Sequence, residues 1–289
     1  MNSFGTLISS ADLAAMQPPG IVLFDCRFDL TRPQWGAGAY AELHLPGAHY
    51  LHLERDLSAP VTAQSGRHPL PDRAEFARRL GSWGVDADTQ VVAYDQGNGM
   101  YAARLWWMLR WLGHRKAAVL DGGLSAWREA GFELTSAPAA ARPARQYVPA
   151  SVSAPTIDVA ALSAALAARR ILLVDGRGAD RFAGQNETID PVAGHVPGAI
   201  NHPFTRNLDA QGRFLTPAAL RDIWRTTLGK RGSRKLIAMC GSGVSACHNL
   251  LALEHAGLGE ATLYPGSWSE WIRDPARPVA TGPQAAGNS

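Results

Sequence analysis

Cys240 stands at the start of a loop built from small residues. It follows the apolar run KLIAM and opens the segment CGSGVS, residues 240–245, which leads into the helix-like run ACHNLLALEHAG. Small residues let successive backbone N–H groups converge on one point, which forms an anion-binding nest at a helix N-terminus. Such a nest stabilises a thiolate or another sulfur anion without a charged side chain, so we predict that Cys240 is a nucleophile.

The sequence lacks the residues that other activities with a loop of this kind require. A cysteine phosphatase needs an arginine six residues after the nucleophile, where this chain has Ala246. A nucleotide-binding P-loop needs Gly-Lys-Ser/Thr, which the sequence does not contain. The segment GSGVSA matches the dinucleotide pattern G-x-G-x-x-A, but the next apolar run ends in Tyr264-Pro265, without an acid to hold a ribose. A dinucleotide-binding oxidoreductase is therefore a distant alternative.

The other cysteines and the composition limit the class of protein. Cys26 and Cys247 form no C-x-x-C spacing with Cys240, so we expect no metal site and no disulfide framework, and interpret both as structural. We predict a cytoplasmic protein outside the membrane. The thiols are free, no run of 18 apolar residues occurs, and the N-terminus has no basic region of the kind that a signal peptide carries. A net charge of +3 with scattered arginines gives no support for a nucleic-acid partner.

The chain carries an internal repeat. Four segments of the first half recur in order in the second: IVLFDCRFDL (21–30) as ILLVDGRGAD (171–180), HLPGAHYLHL (44–53) as HVPGAINHPF (195–204), QVVAYDQGNG (90–99) as KLIAMCGSGV (235–244), and VLDGGLSAW (119–127) as TLYPGSWSEW (262–271). Ordered matches with small differences in offset indicate two homologous domains. We predict an N-terminal domain over 5–134, a linker over 135–155, a C-terminal domain over 156–280 and a flexible tail over 281–289.

Each copy alternates short apolar runs with amphipathic stretches. Runs such as IVLFD and KLIAMC predict buried parallel strands, while stretches such as RAEFARRLGSWG and PAALRDIWRTTLG predict helices that end at Gly. The predicted fold class is α/β, with two tandem domains that each contain a parallel sheet flanked by helices. Ligands of such folds bind beyond the carboxyl ends of the strands, where Cys240 stands.

The first copy differs from the second at the position of the thiol. Asp95 stands where the second copy has Cys240. A carboxylate cannot accept a sulfur atom or act as a soft nucleophile. We therefore predict that the second domain is catalytic and that the first is a scaffold that contributes residues across a cleft.

The repeated motifs resemble a known family. D-x-R, H-x-P-G-A and a terminal G-S/G-W block occur twice, and a six-residue cysteine loop occurs only in the second copy, as in the two-domain rhodanese-type sulfurtransferases. The resemblance runs from about residue 5 to residue 280 and implies two rhodanese-like domains. The loop CGSGVS is similar to that of the 3-mercaptopyruvate sulfurtransferases, whereas thiosulfate-preferring relatives carry basic residues there. A dianion gains more from such cations than a monoanion does.

The resemblance implies a reaction and its participants. Cys240 would take sulfur from a small anionic donor as a persulfide, pyruvate would leave, and a thiol acceptor such as thioredoxin, or cyanide, would take the sulfur. The backbone of the turn would hold the persulfide, at Gly241, Gly243, Val244 and Ser245. No metal and no organic cofactor are implied.

The resemblance also assigns roles to side chains around the loop. Arg181 falls at the arginine that grips the anionic group of the donor. Ser242 falls at a loop serine that works with a histidine and an acid, whose positions are taken by His68 and Glu54. The mercaptopyruvate group has a second clamping arginine before the H-x-P-G motif, but residues 184–194 contain no arginine here.

Some repeated residues receive structural interpretations. His44 and His195 precede Pro-Gly in both copies, including the copy without a nucleophile, which favours a structural role. Arg177 in the motif D-x-R is interpreted as an ion-pair partner. The aromatic run WWMLRW, residues 106–111, predicts a packed helix rather than a binding site.

Taken together, these patterns predict a monomeric sulfurtransferase that uses 3-mercaptopyruvate. Thiosulfate:cyanide sulfur transfer is the alternative activity. A non-enzymatic persulfide carrier or redox-sensing module is the alternative from another class, and it would load once without turning over.

Overall fold

The computed structural model describes residues 3–16, 20–150, 154–229 and 234–283, which form two compact units. Unit 1 comprises Met1–Ala59, Leu70–Ala154 and Asp209–Phe214; unit 2 comprises Pro60–Pro69, Pro155–Leu208 and Leu215–Ser289. Each unit therefore includes a short segment from the opposite half of the chain. Residues 151–153 of the predicted linker and 284–289 of the predicted tail lie outside the described residues.

Unit 1 alternates strands and helices. Its strands are β1 Leu7–Ile8, β2 Ile21–Asp25, β3 Ala48–Tyr50, β4 Gln90–Tyr94 and β5 Ala117–Leu120. Its helices are α1 Ser10–Ala15, α2 Trp35–Glu42, α3 Leu53–Asp56, α4 Arg73–Ser82, α5 Ala102–Trp111 and α6 Gly123–Glu129. The strands described here form a parallel sheet in the order β1-β5-β4-β2-β3.

Unit 2 repeats this pattern. Its strands are β6 Ile171–Asp175, β7 Ile200–Asn201, β8 Lys235–Met239 and β9 Thr262–Leu263. Its helices are α7 Val159–Ala167, α8 Ala179–Phe182, α9 Pro217–Leu228, α10 Ser245–His255 and α11 Ser267–Trp271, with a 3₁₀ turn at Phe204–Asn207. The described strands form a parallel sheet in the order β7-β6-β8-β9. The predicted α/β fold class with two repeated sheets is confirmed.

The two central strands occupy matching places in their sheets. β4 lies between β5 and β2, and β8 lies between β9 and β6. β4 is buried along its length, and β8 is buried from Ile237 onward, as expected for parallel strands covered by helices on both faces. The residues that follow these strands, Asp95 and Cys240, therefore stand at the carboxyl end of each sheet, where ligands of such folds bind.

The repeated D-x-R motif forms a buried ion pair in each unit. Asp175 accepts hydrogen bonds from Nε and Nη2 of Arg177, and Nη2 also donates to the carbonyl of Gly194 at 2.7 Å. In unit 1, Arg27 binds Asp25 in the same way. Both pairs are almost fully buried, and each charge has its partner and further hydrogen bonds. They fix the loop that follows β2 or β6.

The helices of the described residues have clear sequence origins. α9 begins after Thr216, whose side chain accepts the N–H of Ala219, and Pro217 takes the first turn, where its missing N–H costs nothing. α5 is buried from Ala102 to Arg110 and includes Trp106 and Trp107, so the aromatic run forms a packed helix. No described helix has the length and apolar character that crossing a bilayer requires.

Candidate active site

Cys240 follows the central strand of unit 2 and is anchored by its backbone. Its N–H donates to Ser267 Oγ at 3.1 Å, and its carbonyl accepts the N–H of Trp268 at 3.0 Å. The N–H of Gly243 points at Sγ, 3.2 Å away. The residue is 2% exposed. A thiol in this position receives a backbone hydrogen bond that would strengthen as the sulfur gains negative charge.

The turn after Cys240 needs glycine at one position. Gly243 has φ of 78°, in the left-handed region, and a β-carbon there would collide with the carbonyl oxygen of Pro265. Val244 is buried and precedes α10, which begins at Ser245. The residues predicted as the backbone cradle therefore lie together at the N-terminal end of an eleven-residue helix.

Two serines that the sequence analysis did not single out hold this loop. Ser267 has φ of 54°, and its hydroxyl accepts the N–H of Cys240 while donating to the carbonyl of Tyr264 at 2.9 Å. Ser269 donates its N–H to the carbonyl of Gly241 at 2.9 Å. A non-glycine residue with positive φ is uncommon and indicates a surrounding structure that enforces it. The repeated G-S-W block was the signal in the sequence.

Ser242 and His68 are in contact. A hydrogen bond of 2.7 Å joins Ser242 Oγ and His68 Nδ1, and both residues are buried. His68 belongs to the segment Pro60–Pro69, which forms part of unit 2 although it comes from the first half of the chain. Gly66 of the same segment lies so close to the backbone of Gly266 that it has no room for a β-carbon. The predicted serine–histidine pair is thus brought together.

Glu54 has a different location. It belongs to unit 1, at the start of α3, and it is exposed. Its N–H donates to His52 Nδ1 at 3.2 Å. This hydrogen bond lies within unit 1, and the predicted relay of Glu54 with His68 stays a prediction.

Arg181 is held by two buried carboxylates. Its Nε and Nη2 donate to Glu187, at 3.0 and 2.9 Å, and Nη2 also lies 3.0 Å from Asp190 Oδ2. The side chains of Glu187 and Asp190 are 3% and 1% exposed. Burial raises the pKa of Glu187, but the hydrogen bonds from Arg181 and from the backbone of Asp190 and Ile189 outweigh it and lower the pKa overall.

A second arginine, Arg67, reaches the same place and was missed in the sequence. Its Nη1 lies 2.5 Å from Asp190 Oδ1, and its N–H donates to Ser269 Oγ at 2.9 Å. A β-carbon added at Gly241 would stand 3.2 Å from Arg67 Nη2 and 3.8 Å from Arg181 Nη1. Both guanidinium groups therefore face the residue that follows Cys240. The only sequence signal was the position of Arg67 next to His68.

The charges of this cluster balance. Arg67 and Arg181 are offset by Glu187 and Asp190, while Arg177 is offset by Asp175. The cluster can bind one added negative charge through guanidinium N–H groups that still face Gly241. Because these charges already balance, every charge that an anion adds exceeds the cations among these side chains, so a dianion is disfavoured more than a monoanion in a partly buried site.

Unit 1 has a carboxylate in the equivalent nest. Asp95 is 2% exposed and accepts backbone N–H groups from Gly97, Gly99, Tyr101 and Ala102 at 2.9–3.3 Å. Burial raises the pKa of Asp95, and these hydrogen bonds oppose the rise. The carbonyl of Asp95 accepts the N–H of Leu124 at 2.9 Å, as that of Cys240 accepts the N–H of Trp268. The two loops share one backbone design.

The remaining cysteines are buried. Burial, together with the nearby carboxylates of Asp25 and Asp95, raises the pKa of the Cys26 thiol. Cys247 donates its S–H to the carbonyl of Gly243 at 3.2 Å and so supports the loop from α10. Among the described ranges, no group of three or more His, Cys, Asp or Glu side chains is arranged to hold a metal ion.

The two histidines before Pro-Gly make structural contacts. His44 Nδ1 and Nε2 lie 2.6 and 3.0 Å from the carbonyls of Tyr40 and Ala137, and His195 Nδ1 lies 2.8 Å from the carbonyl of Phe182. Each ring also stacks on an aromatic neighbour. Their partners are thus backbone carbonyls, two of which belong to α2 and α8.

Comparisons with known proteins agree with this architecture. The Rhodanese-like domain family matches residues 9–130 and 158–274. A "Probable 3-mercaptopyruvate sulfurtransferase" of Pseudomonas aeruginosa is 50% identical over 97% of this chain and 99% of its own length. A thiosulfate sulfurtransferase of Cricetulus griseus is 36% identical over 88% of this chain and 86% of its own.

Solved structures give the same result. SseA from Escherichia coli, a 3-mercaptopyruvate sulfotransferase, aligns with a TM-score of 0.78 at 31% identity, over 92% of this chain and all of the other. The 3-mercaptopyruvate sulfurtransferase of Leishmania major aligns with a TM-score of 0.80 at 33% identity, over 92% of this chain and 73% of the other. The resemblance found in the sequence is confirmed: the chain belongs to the rhodanese-type sulfurtransferases, with two rhodanese-like domains.

Proposed function

We propose that this enzyme moves sulfur from 3-mercaptopyruvate to a thiol acceptor through a persulfide on Cys240. The observation that carries this proposal is the loop 240–245, where a thiol at the end of the central strand receives the N–H of Gly243. The relative from P. aeruginosa, which is similar over almost its whole length, supports the same donor.

The reaction is balanced without an added oxidant or reductant. The Cys240 thiolate attacks the sulfur of 3-mercaptopyruvate, an S–S bond forms and the bond between sulfur and C3 breaks. The electron pair goes to C3 as the enolate of pyruvate, which takes the proton that the donor thiol gives up. An acceptor thiolate or cyanide then attacks the outer sulfur and leaves Cys240 as a thiolate. The hydrogen-bonded pair Ser242–His68 is available to carry the proton.

Asp95 supports the idea that backbone N–H groups hold the persulfide. The chain Cβ–Cγ–Oδ of an aspartate has the same connectivity as Cβ–Sγ–Sδ of a cysteine persulfide. In unit 1 the carboxylate accepts four backbone N–H groups. By the offset of the repeat, the equivalent N–H groups in unit 2 belong to Ser242, Val244, Ala246 and Cys247. The N–H of Cys247 already donates to the carbonyl of Val244 at 3.0 Å, which leaves those of Ser242, Val244 and Ala246 for an anionic outer sulfur on Cys240.

The balanced charges favour mercaptopyruvate over thiosulfate. The cysteine loop has no basic residue, and Arg67 and Arg181 are already offset by two carboxylates. A monoanion adds one charge beyond this balance and a dianion adds two, so the dianion binds at the greater electrostatic cost. Thiosulfate:cyanide transfer remains the second candidate because relatives with that activity are 36% identical.

The test is steady-state sulfur transfer with both donors, coupled to mass analysis of the Cys240 peptide. We expect many turnovers with 3-mercaptopyruvate, release of pyruvate, one extra sulfur atom on Cys240 and a higher kcat/KM than with thiosulfate. Cys240→Ser should abolish transfer, while Cys26→Ala, a matched change of a buried cysteine, should retain it. Loading without turnover would support a carrier, and a preference for thiosulfate would overturn the donor.

The proposal also covers the acceptor of the sulfur, the location of the enzyme in the cell and its oligomeric state. A small thiol or thioredoxin fits a sulfur that must leave from a buried cysteine. We further propose that the protein is a monomer and that it is cytoplasmic, the location because free thiols need a reducing compartment.

A further inference from the structure

We propose that Arg67, oriented by Asp190, is the second cation that clamps the carboxylate of the donor, beside Arg181. This inference rests on the proposed sulfur transfer at Cys240. The inference gives a specificity-determining role to a residue outside the cysteine loop. It also places the second arginine outside residues 184–194, the segment before the H-x-P-G motif, which contains no arginine in this chain.

The first argument is the location of Arg67. Its Nη2 and the Nη1 of Arg181 border the space above Gly241, the residue after Cys240. Within the described part of the chain, neither of these two nitrogen atoms donates to a protein oxygen. Two guanidinium groups that converge on the neighbour of a reactive thiol are well placed to bind an anion whose sulfur meets that thiol.

The second argument is the edge that Arg67 leaves without a protein partner. Nε and Nη2 form the side of a guanidinium that binds a carboxylate with two parallel hydrogen bonds. Arg27, Arg177 and Arg181 use this side for Asp25, Asp175 and Glu187, respectively. Arg67 uses Nη1 for Asp190 instead, and its buried Nε has no hydrogen-bond partner among the described residues. A bound carboxylate would satisfy this edge.

The third argument is the way Asp190 joins the two cations. Its Oδ1 takes Arg67 at 2.5 Å and its Oδ2 takes Arg181 at 3.0 Å. The carboxylate is buried, and the N–H of Asp190 donates to Glu187, which fixes the acidic segment. Asp190 therefore acts as a positioning residue that sets the distance between the two guanidinium groups.

The experiment compares bromopyruvate with its methyl ester as alkylating agents of Cys240. Both carry bromine on C3, where the donor carries sulfur, and the Cys240 thiolate displaces it as bromide to form a thioether. Only bromopyruvate has the carboxylate. The rate constant for bromopyruvate is divided by that for the methyl ester, and this ratio is divided by the same ratio for glutathione. The result measures how much binding of the carboxylate by the protein speeds the alkylation.

We expect Arg67→Met to lower this ratio about tenfold, the size of one charge-assisted hydrogen bond in a partly exposed site, with Arg67→Lys intermediate. The same variants should raise the KM for 3-mercaptopyruvate and change kcat little. Asp190→Asn should lower the ratio as well. Arg225→Met is the matched control, because Arg225 lies on α9 with its side chain 70% exposed, and should leave the ratio unchanged.

The outcomes separate this inference from the proposed function. A methyl-ester rate equal to that of the wild type shows that a variant presents Cys240 as the folded protein does, whereas an unfolded variant would expose this buried thiol and react faster with the ester. An unchanged ratio in Arg67→Met and Arg67→Lys would overturn the clamp even if the wild-type enzyme transfers sulfur. A lowered ratio in an enzyme that fails to turn over 3-mercaptopyruvate would keep the anion clamp and reject the donor.

Discussion

His68 Nδ1 lies 2.7 Å from Ser242 Oγ, although 174 positions separate the two residues in the chain. Both are buried, so this hydrogen bond is formed away from bulk water and competes little with it. It couples the cysteine loop to the segment Pro60–Pro69, which brings Arg67 to the same loop. One short segment thus brings an imidazole and a guanidinium group to the site.

Ser242→Ala should lower kcat for sulfur transfer by about a hundredfold, because the proton would lose its carrier. His68→Gln should lower kcat to a similar extent, and the double variant should be no worse than either single variant, since the two residues act as a unit. The measurement is kcat with 3-mercaptopyruvate over a range of pH. Ser163→Ala on α7 is the control for a serine-to-alanine change in the same unit. Additive effects of the two changes would contradict the pair.

Gly241→Ala should weaken donor binding while leaving the fold intact. The added methyl group would stand 3.2 Å from Arg67 Nη2 and occupy the space that the two arginines border. Gly241 is not among the residues with positive φ, so alanine is tolerated by the backbone. We expect a KM for 3-mercaptopyruvate that is about five- to tenfold higher, or about 1 kcal/mol of binding, with little change in Tm.

The control for this change is Gly38→Ala on α2, where a β-carbon would meet nothing within 4 Å. It should change neither KM nor kcat. If Gly241→Ala left the KM unchanged, the donor's anionic group would have to bind somewhere other than between these guanidinium groups.

The sequence predicted the repeated sheets because each central strand contains a continuous apolar run of a few residues and is buried along most of its length. The run ILLVD predicts β6 at Ile171–Asp175 without any knowledge of its neighbours, and the loop 240–245 is equally local. Arg67 is different, because its backbone meets Ser269 across 202 positions and its guanidinium meets Asp190 across 123. No periodicity encodes such contacts, and they become visible only when the chain has folded.

Asp95→Ala should destabilise unit 1 without removing catalysis. Four backbone N–H groups would lose their acceptor in a buried nest, at a cost of about 1–3 kcal/mol for each group left unsatisfied, so we expect a total loss of at least ~4 kcal/mol. Asp88→Ala is the control, because its side chain is 92% exposed and its ion pair with Lys116 contributes little. The measurement is thermal unfolding, followed by sulfur transfer well below the Tm.

At such a temperature the folded variant should keep a kcat close to that of the wild type, since Asp95 is not part of unit 2. A stability equal to that of the wild type would show that the nest does not need an anion.

His202 should make the stability of unit 2 depend on pH. The residue is fully buried against Trp224, with Nδ1 2.9 Å from Thr227 Oγ1 and Nε2 3.0 Å from Asn207 Oδ1. Burial lowers the pKa of His202 from 6.5 to about 4. Above pH 7 the ring is neutral in both the folded and the unfolded chain and contributes no pH dependence.

Between pH 6.5 and about 4, His202 is protonated in the unfolded chain but not in the folded one, so the free energy of unfolding falls as the pH falls. Below pH 4 the residue is protonated in both states, and the free energy of unfolding loses no more from this group. The full loss is about 3 kcal/mol, from 1.36 kcal/mol per unit of pKa shift. His202→Gln keeps groups that can bond to Asn207 and Thr227 but cannot take up a proton. Its free energy of unfolding should be lower than that of the wild type at pH 7.5, and the difference should shrink by roughly 3 kcal/mol as the pH is lowered to 4. Parallel curves for the two proteins over this range would mean that His202 is protonated as easily in the folded chain as in the unfolded one.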